Sequence, residues 1–569
     1  MSRRFQLLSM QVILSLTLIT LASSVSNEWA SDPYDAARVA EIVAAAGAAP
    51  AAAPSSLLHP GAFANGMVLK ADGARMFGIG ANGTVTITVV DGSKKTVTTA
   101  TAVPSGTTGA WSTTVSVAAS LTNYTITVRA TGLPQVLTDV LFGDVILCSG
   151  QSNMDFCLGG LGKCRGGAFL ANETVAAAHL YPEIRLSQIN GNALSYGPSY
   201  NGDTSDTIQR QLRDFSAVCY LTAVALKKTV GDPKRPMGLF KASVGGTIIE
   251  QWSPVASVSQ QCGFKNATPH ATSQCAKQPF ETLYDSMVKP FEPSSITLAI
   301  WYQGESNVAC NAGPTEIVPL SPSGAGYYAC MLSKMVTAWR AAFGGDDFPF
   351  LVVELAAFGG ETHGRDGTVA LRFAQQIAIA ALKRAAMAST IDLGDDGKLP
   401  YTPSTSRHGG IHPRNKTEVG RRLALKYAAL VAGVDVTKVA TSGPTPTHVT
   451  TSGHGVSVSF AKGPTLTGIA LTAAAQCHSH SRLDPSVDCC NQAATPAELR
   501  GMPFEVQLSN GTYVVVPVSK IDAAAGIVTL DVSVGDVVSV RYAYQGYPLC
   551  VLTNSAGLPA EMFEMKVRT

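Results

Sequence analysis

The sequence lacks the features that mark nucleic-acid-binding and membrane-spanning proteins. Its 42 Lys and Arg residues nearly balance its 40 Asp and Glu residues, which leaves a formal net charge of +2, and no basic block occurs. A protein that binds nucleic acid is expected to concentrate positive charge on one face. After the N-terminal region, no segment is long and apolar enough to cross a bilayer. We therefore expect neither a nucleic-acid partner nor a stable membrane span.

Zinc-binding spacings are also missing. The nearest approach is Cys477-His478 and His480 close to Cys489-Cys490, and these residues do not show the ligand spacing of a structural zinc site. A metal at this cluster remains the alternative. The sequence favours a protein that works without a metal or another cofactor.

The N-terminus has the pattern of a secretory signal peptide. A positive start, MSRR, precedes an apolar run from Leu7 to Ala22 and two serines. A signal anchor is the alternative, but the run is short for a bilayer and is interrupted by polar residues. We predict that residues 1–24 form the signal and that the protein is secreted or enters a lumenal, lysosome-like compartment. Sequons for possible glycosylation occur at Asn82, Asn123, Asn172, Asn266, Asn415 and Asn510.

The chain contains twelve cysteines, an even number that suits an oxidising compartment. Short separations suggest local disulfides, although spacing alone does not fix connectivity. The expected pairs are Cys157–Cys164, Cys262–Cys275, Cys310–Cys330 and Cys477 with Cys489 or Cys490.

A chain of 569 residues is too long for one hydrophobic core. Residues 25–55 are Ala-rich and resemble a helix and linker. Residues 56–140 alternate β-branched and polar residues, as in VTITVV and WSTTVSV, which predicts a small antiparallel β domain. Residues 141–435 alternate apolar strands with helical patterns, which predicts an α/β fold with a parallel sheet flanked by helices. Residues 436–569 are β-like again.

Several elements can be placed within residues 141–435 from these patterns. The expected strands are 144–148, 183–188, 236–242, 295–302, 348–355 and 387–392, and the expected helices are 211–230, 325–343, 368–386 and 416–431.

The most informative segment is LFGDVILCSGQSNM at 141–154. An apolar strand ends at Cys148-Ser149-Gly150, so Ser152 falls just beyond its carboxyl end, where open α/β sheets hold their ligands. Ser152 is therefore a candidate nucleophile. The nucleophile elbow of α/β-hydrolases needs Gly two residues later, and that position is Met154. Alternatively, Ser152 is only a helix N-cap.

Three further segments follow expected strands. In KASVGGTIIEQW, 241–252, Gly246 offers a backbone N–H of the kind that an oxyanion hole requires, or lies in an ordinary turn. LAIWYQGESN, 298–307, places a run of polar side chains at a strand end, either facing substrate or in a surface loop. In GGIHPRNKTEVGRRLA, 409–424, His412 precedes a helix and is a candidate general base, or else an ordinary surface or core histidine.

Together these blocks resemble the SGNH-hydrolase superfamily, and more narrowly the sialate O-acetylesterase family. That family carries GDVWLCSGQSNM, a GG–E–W segment, WYQGE–N and IHP–NK–VG–RLA. This chain has GDVILCSGQSNM, SVGGTIIEQW, WYQGESN and IHPRNKTEVGRRLA. Weaker similarities at 63–72, 371–376 and 550–563 extend the resemblance over most of the chain after the predicted signal.

The resemblance implies a flavodoxin-like parallel sheet of the SGNH type with accessory antiparallel β domains. It also implies a serine esterase in which Ser152 attacks an acetyl carbonyl and His412 acts as base and then as acid. The backbone N–H groups of Ser152 and Gly246 and the side chain of Gln303 would bind the oxyanion. Glu305 and Asn307 would organise the site.

The chain departs from the superfamily at one position. Many SGNH enzymes place an Asp three residues before the catalytic His, and Gly409 occupies that position here. The nearest upstream carboxylates are Asp392, Asp395 and Asp396, and we select Asp392 because it directly follows an expected strand. Alternatively, a backbone carbonyl orients His412 in a Ser–His dyad.

The function implied by the resemblance is the removal of O-acetyl groups from sialic acids. An acetylesterase acting on another acetylated polysaccharide such as xylan shares the same chemistry. A third hypothesis is a secreted glycan-binding protein with an inactive hydrolase core, although its Ser152, Gly246, Gln303 and His412 are all present.

Overall fold

The computed structural model describes most of the chain from Leu57 to Arg568. The residues left outside this description are 1–56, 60, 133, 160–166, 191–192, 199–210, 231, 233, 255–257, 259–260, 263–280, 312–323, 346, 358–364, 395–410, 432–433, 436, 453–454, 475–489, 491–501, 533–534 and 569. The predicted signal peptide and linker lie outside the described residues. Among the helices that are described, none is long and apolar enough to cross a membrane.

Most of the regular structure is β-strand. The strands are β1 Val68–Lys70, β2 Ala74–Gly78, β3 Val85–Val90, β4 Thr96–Ala102, β5 Trp111–Val115, β6 Ser120–Arg129, β7 Gln135–Gly150, β8 Ile184–Asn190, β9 Ala193–Pro198, β10 Met237–Ser243, β11 Leu298–Tyr302, β12 Phe350–Val353, β13 Ala385–Ala388, β14 Pro446–Ser452, β15 Gly455–Phe460, β16 Ala470–Ala473, β17 Phe504–Leu508, β18 Tyr513–Val515, β19 Val518–Asp522, β20 Ile527–Asp531, β21 Val537–Tyr542, β22 Cys550–Thr553 and β23 Phe563–Lys566.

The helices fall between the strands of the middle region. The α-helices are α1 Ser152–Asp155, α2 Ala171–Ala176, α3 Ala217–Val230, α4 Glu305–Asn311, α5 Gly324–Ala342, α6 Arg365–Ala380 and α7 Lys416–Val431. Single turns of 3₁₀-helix occur at Ala177–Leu180, Ile249–Trp252 and Lys289–Phe291, and a π-helical turn occurs at Tyr284–Val288.

The central sheet has the strand order β13-β12-β11-β7-β10-β8-β9. All neighbours are parallel except β9, which pairs antiparallel with β8 at the edge. Strands β7, β10, β11, β12 and β13 therefore follow the doubly wound order 2-1-3-4-5, with β8 added beyond β10. The predicted α/β fold is confirmed. The strand order reverses at β7, and the carboxyl end of a strand at such a switch point is where ligands bind in this class of sheet.

Helices cover the sheet on both faces because its strands are apolar on both. Along β7, Val145 and Leu147 belong to one buried cluster, and Ile146 and Cys148 belong to the other. Helices α5 and α6 contribute to the first cluster, while α3 and α7 contribute to the second. Alternate side chains of one strand thus enter two cores, as expected for a buried parallel sheet.

Strand β7 also belongs to the N-terminal β region. Its first half pairs antiparallel with β6, and β1 pairs parallel with Leu141 to Gly143. Strands β3, β4 and β6 extend this part of the sheet over a separate apolar core. The predicted domain boundary at 140/141 falls inside this continuous strand, so the N-terminal region and the parallel sheet share a backbone element.

Within its described residues, the C-terminal region forms two four-stranded sheets and a two-stranded pair around one apolar cluster. The sheets have the orders β14-β15-β20-β19 and β18-β17-β21-β23. Arg372 of α6 is fully buried where this region meets the parallel sheet, and it donates hydrogen bonds to the carbonyls of Gln545 and Gly546. A buried guanidinium therefore joins the two parts of the molecule.

Disulfides are present as expected, but two expected pairings are wrong, and one of the two alternatives for a third is excluded. Three bridges lie within the described residues, namely Cys148–Cys219, Cys262–Cys330 and Cys490–Cys550. Their sequence separations of 71, 68 and 60 residues show why local spacing failed as a guide. The expected pairs Cys262–Cys275, Cys310–Cys330 and Cys477–Cys490 are excluded by these bridges. Cys157 is also disulfide-bonded, and its expected partner Cys164 lies outside the described residues, as do Cys477 and Cys489.

Glu354, which follows β12, is a buried carboxyl group close to Arg372. Burial raises the pKa of Glu354 to about 7, against the opposing effect of the Arg372 charge. Burial also lowers the pKa of Arg372 to about 10. The guanidinium is nevertheless bound to four backbone carbonyls, those of Leu355 and Ala356 in addition to the two C-terminal ones. Glu354 thus favours its neutral form in the folded protein.

We predict that Glu354 makes the fold less stable as the pH rises. Folded Glu354 holds its proton up to about pH 7, whereas an unfolded Glu releases it near 4.5. The folded state therefore binds more protons between these values, and the contribution to the free energy of unfolding is full below 4.5 and lost through pH 7. Glu354→Gln should flatten the decline in urea unfolding free energy between about pH 5 and about pH 8. The exposed Glu173→Gln is the control, and equal slopes in all three proteins would contradict the prediction.

Candidate active site

Ser152 lies at the carboxyl end of the central strand. Strand β7 ends at Gly150, whose φ of 138° is a conformation that L side chains rarely adopt. A Cβ at this position would lie 2.2 Å from the carbonyl oxygen of Tyr302, so only Gly lets β7 approach β11 this closely. Gln151 is extended and Ser152 begins α1. The hydroxyl predicted to be the nucleophile is therefore held at the switch point of the sheet.

Gln151 connects the ends of β7 and β11. Its Oε1 accepts hydrogen bonds from Gln303 Nε2 at 3.2 Å, Gly304 N at 3.2 Å and Ser306 N at 3.1 Å. Its Nε2 lies 3.5 Å from Ser152 Oγ. Gln151 was not among the predicted site residues, although it stands inside the SGQSN block beside the candidate nucleophile. Its position in that block was the signal that could have identified it.

Gln303 lies at the centre of a buried amide network. Its Nε2 is 2.6 Å from Asn307 Oδ1, 3.0 Å from the Thr247 carbonyl and 3.2 Å from Gln151 Oε1. Its Oε1 accepts a hydrogen bond of 2.9 Å from Tyr328 OH. An amide nitrogen has two hydrogens, so both are directed to protein acceptors here. Donation to an oxyanion, as predicted for Gln303, would require one of these bonds to be exchanged.

Asn307 extends this network towards β10. Its Oδ1 accepts a hydrogen bond from Ile249 N at 3.0 Å, and its Nδ2 donates to Glu250 Oε2 at 3.0 Å. Burial raises the pKa of Glu250, and the hydrogen bond from Asn307 opposes that rise. Asn307 thus joins the turn Ile249–Trp252 to the segment that follows β11.

Gly246 occupies a turn just beyond β10. Its φ is 72°, and no atom lies within 4 Å of the position that a Cβ would take. Within the described part of the chain, the backbone N–H groups of Gly246 and Ser152 have no hydrogen-bond partner. Because Ser243 pairs with Gly150 in the parallel register, both groups lie within a few residues of one rung of the sheet. Two backbone donors without a partner therefore follow the carboxyl ends of neighbouring strands, one of them on the candidate nucleophile itself.

His412 lies in the loop before α7, buried against the first turn after Ser152. Its ring is stacked on Phe156 with a centroid separation of 6.2 Å and an interplanar angle of 25°. The carbonyl of the preceding Ile411 accepts a hydrogen bond of 2.9 Å from Asn153 Nδ2. The structure thus brings the His412 loop to the helix that Ser152 begins. Gly409 and Gly410, which precede it, lie outside the described residues.

Glu305 begins α4 and is almost completely buried. Its Oε1 accepts a hydrogen bond of 2.5 Å from Asn153 Nδ2. Burial raises the pKa of Glu305, and the hydrogen bond from Asn153 and the charge of Lys416 oppose that rise. The carboxylate therefore faces the residue next to Ser152 from inside the protein.

Asp392 is engaged by an arginine. Its two carboxylate oxygens accept hydrogen bonds from Arg422 Nη1 at 2.6 Å and Nη2 at 2.7 Å. Arg422 also binds Glu418 and the carbonyl of Ser389. Asp395 and Asp396, the other upstream candidates, lie outside the described residues. This bidentate contact with Arg422 gives Asp392 a structural partner that the sequence did not indicate.

A buried ion pair joins α1 to β10. Lys241 Nζ lies 2.8 Å from Asp155 Oδ1, and the two side chains are 1% and 7% exposed. Ser243 Oγ donates to the same oxygen at 3.1 Å. Among the described residues, no group of three or more His, Cys, Asp or Glu side chains could hold a metal ion. The Cys477–His480 cluster lies outside them.

Comparison with known proteins identifies the family. A model of carbohydrate esterases described as sialic acid-specific acetylesterases matches residues 142–427, about half of the chain. The chain belongs to this carbohydrate esterase family. It is therefore a carboxylic ester hydrolase.

Relatives match over much of the chain. A sialate O-acetylesterase from Pongo abelii is 26% identical over 452 residues, which cover 75% of each protein. One from Homo sapiens is 28% identical over 338 residues, or 56% of this chain and 58% of that protein. The crystal structure of a carbohydrate acetylesterase from Xanthomonas citri is 23% identical, with a TM-score of 0.64, and covers 89% of this chain and 98% of that one. The fold is therefore shared with a carbohydrate esterase over most of this chain.

We predict that Lys241→Met destabilises the esterase by about 3–5 kcal/mol, because it leaves the Asp155 carboxylate buried without its cation. Adding Asp155→Asn should restore much of that loss, since it removes the unpaired charge. Urea unfolding of the single and double variants measures both effects.

The control for this prediction is an exposed pair, Lys289 and Asp285, whose side chains are 58% and 49% exposed. Lys289→Met should change the unfolding free energy by less than about 1 kcal/mol. A Lys241→Met variant as stable as Lys289→Met would contradict the assignment of Asp155 and Lys241 as a coupled pair.

Proposed function

We propose that this esterase removes O-acetyl groups from sialic acids by Ser–His catalysis of the SGNH type. The observation that carries the proposal is the placement of Ser152 at the switch point, with the His412 loop bound to the same helix and two unpaired backbone N–H groups alongside. The family description and the names of the curated relatives support sialate esters as the substrate class.

The chemistry would proceed through an acyl-enzyme. Ser152 Oγ attacks the acetyl carbonyl carbon while His412 accepts the hydroxyl proton. The Ser152 and Gly246 N–H groups bind the resulting oxyanion, and Gln303 contributes only if it exchanges one of its present bonds. His412 then protonates the sugar oxygen as the C–O bond to the acetyl carbon breaks. Water, deprotonated by His412, attacks the acetyl-Ser152 ester, and acetate leaves with return of the proton to Ser152.

We also propose a secreted or lumenal location. The bridges Cys148–Cys219, Cys262–Cys330 and Cys490–Cys550 fit an oxidising compartment, and the N-terminal pattern fits a signal peptide. The sequon residues Asn82, Asn123 and Asn510 are exposed and hence accessible to glycosylation.

The substrate class is tested by the acetate released from different glycans. O-acetylated sialic acids and acetylated xylan should be compared with an aryl acetate at equal ester concentration. A higher kcat/KM on sialates supports the proposal, and a higher value on xylan replaces the substrate while keeping the chemistry. Glycan binding without turnover of any ester would contradict the mechanism itself.

Ser152→Ala and His412→Ala should each abolish turnover, with losses above about 10³-fold, and the double variant should be little worse than either. Residues that act as one unit lose their joint effect when either is removed. Steady-state kinetics on an aryl acetate provide the measurement. Ser519→Ala and His179→Ala, both at exposed positions outside the site, are the matched controls. Losses that multiply in the double variant would contradict a shared unit.

Asp392→Asn should lower stability more than activity. Replacing the carboxylate weakens its two hydrogen bonds with Arg422, whose side chain is 3% exposed, so we expect a loss of up to about 3–5 kcal/mol in unfolding free energy. The kcat should stay within about ten-fold of wild type, because both oxygens already bind Arg422. A loss near 10⁴-fold, as expected when a catalytic His loses the carboxylate that sets its tautomer, would instead make Asp392 the orienting residue.

A further inference from the structure

Asn153 makes three hydrogen bonds that converge from different parts of the chain. Its Nδ2 donates to Glu305 Oε1 at 2.5 Å and to the Ile411 carbonyl at 2.9 Å. Its Oδ1 accepts a hydrogen bond of 2.6 Å from Lys416 Nζ. These partners come from the end of β11, the His412 loop and the start of α7. One side chain, next in sequence to Ser152, therefore holds both flanks of His412.

Lys416 is a buried cation in this cluster. It has no exposed surface, and its Nζ lies 5.0 Å from the ring centroids of both Phe156 and Tyr302. The Phe156 ring is also stacked on His412. Cation–π contacts and the hydrogen bond to Asn153 stabilise the ammonium away from water. The position of Lys416 is thereby coupled to the ring that supports His412.

Glu305 supplies the opposite charge. Its carboxylate is almost completely buried and binds the Nδ2 of Asn153, whose Oδ1 binds Lys416. The neutral amide thus bridges a buried anion and a buried cation. Breaking such an arrangement on one side leaves an uncompensated charge, so the geometry of Asn153 is strongly fixed. A residue fixed in this way can hold the two backbone segments that carry Ser152 and His412 at a constant separation.

We propose that Asn153, held between Glu305 and Lys416, is the positioning residue that sets the His412 loop against Ser152. The inference rests on the proposed Ser–His function and deepens it. It assigns to a side-chain amide the positioning that a carboxylate three residues before the His performs in many SGNH enzymes. Displacements of catalytic groups by about 1 Å can reduce turnover by about 10²-fold. Loss of the contacts that Asn153 makes with Glu305, Ile411 and Lys416 should therefore lower kcat.

The test is to measure kcat and kcat/KM of Lys416→Met and Asn153→Ala on an aryl acetate. Each substitution is also made in a His412→Ala background. In the wild-type background, kcat and kcat/KM should fall together by about 10²-fold, as for an interaction needed only in the transition state. In the His412→Ala background, the same substitutions should lower the residual rate by less than about three-fold, because there is no imidazole left to position.

Asn554→Ala is the matched control. Asn554 is also a buried Asn with two donated and two accepted hydrogen bonds, but it lies in the C-terminal region. It should lose unfolding free energy and retain kcat. If Lys416→Met does not fold, as judged by its urea transition, Asn153→Ala answers the same question.

The outcomes distinguish the positioning role of Asn153 from the proposed Ser–His function. A wild-type kcat in folded Lys416→Met and Asn153→Ala, or equal fold losses with and without His412, would overturn the positioning role alone. Retained turnover in Ser152→Ala or His412→Ala would overturn the proposed function, whatever the kcat of Lys416→Met and Asn153→Ala.

Discussion

The parallel register of three strands is the constraint on which the site depends. Gly150 of β7 lies opposite Ser243 of β10 on one side and Tyr302 of β11 on the other. The chain therefore leaves the sheet at the same level in all three strands, and the loops that follow must share one small volume. Separations of about 4.7–4.9 Å between neighbouring strands place the candidate nucleophile, glycine turn and glutamine side by side.

Burial of polar groups then makes this assembly rigid. A buried amide or carboxylate is costly unless it is hydrogen-bonded, and behind the site Gln303, Asn307 and Glu250 hydrogen-bond one another. Gln303 binds Asn307, and Asn307 binds Glu250, so the ends of β11 and β10 are joined by a continuous chain of hydrogen bonds. Both Nε2 hydrogens of Gln303 are already directed to protein acceptors. Gln303 is therefore better suited to hold the site together than to donate a hydrogen bond to substrate.

The sequence predicted the α/β sheet well because strands and helices depend on local patterns, whereas the roles of the candidate residues stay predictions. Helix α7 was predicted at 416–431 and spans Lys416–Val431, where Asn415 Oδ1 accepts a hydrogen bond from Glu418 N in the first turn. The helix expected at 368–386 ends at Ala380 instead, and Ala385–Ala388 form a strand. That segment, AAMA, has little intrinsic preference for a strand, so pairing with β12 decides its conformation.

Interactions between distant segments were not predictable from the sequence. Cys148 and Cys219 are 71 residues apart and meet because α3 packs against the face of β7 to which Cys148 points. The fork between Asp392 and Arg422 likewise depends on how α7 docks beside the sheet. The sequence alone does not show whether a carboxylate at a strand end binds an imidazole or a guanidinium, because tertiary packing decides which partner it meets.

The lack of a carboxylate three residues before His412 can be related to how charged side chains are paired at this edge of the sheet. Asp155 is matched by Lys241 and Asp392 by Arg422, each through a direct ion pair. Glu305 differs, because a neutral amide stands between it and its cation. In a Ser-His-Asp triad one Asp combines orientation and charge compensation, whereas in the proposed arrangement these two roles fall to different side chains. Ester hydrolysis is the less demanding reaction for such an arrangement, because an alkoxide is a better leaving group than the anion of an amine, so the leaving group depends less on a proton donor.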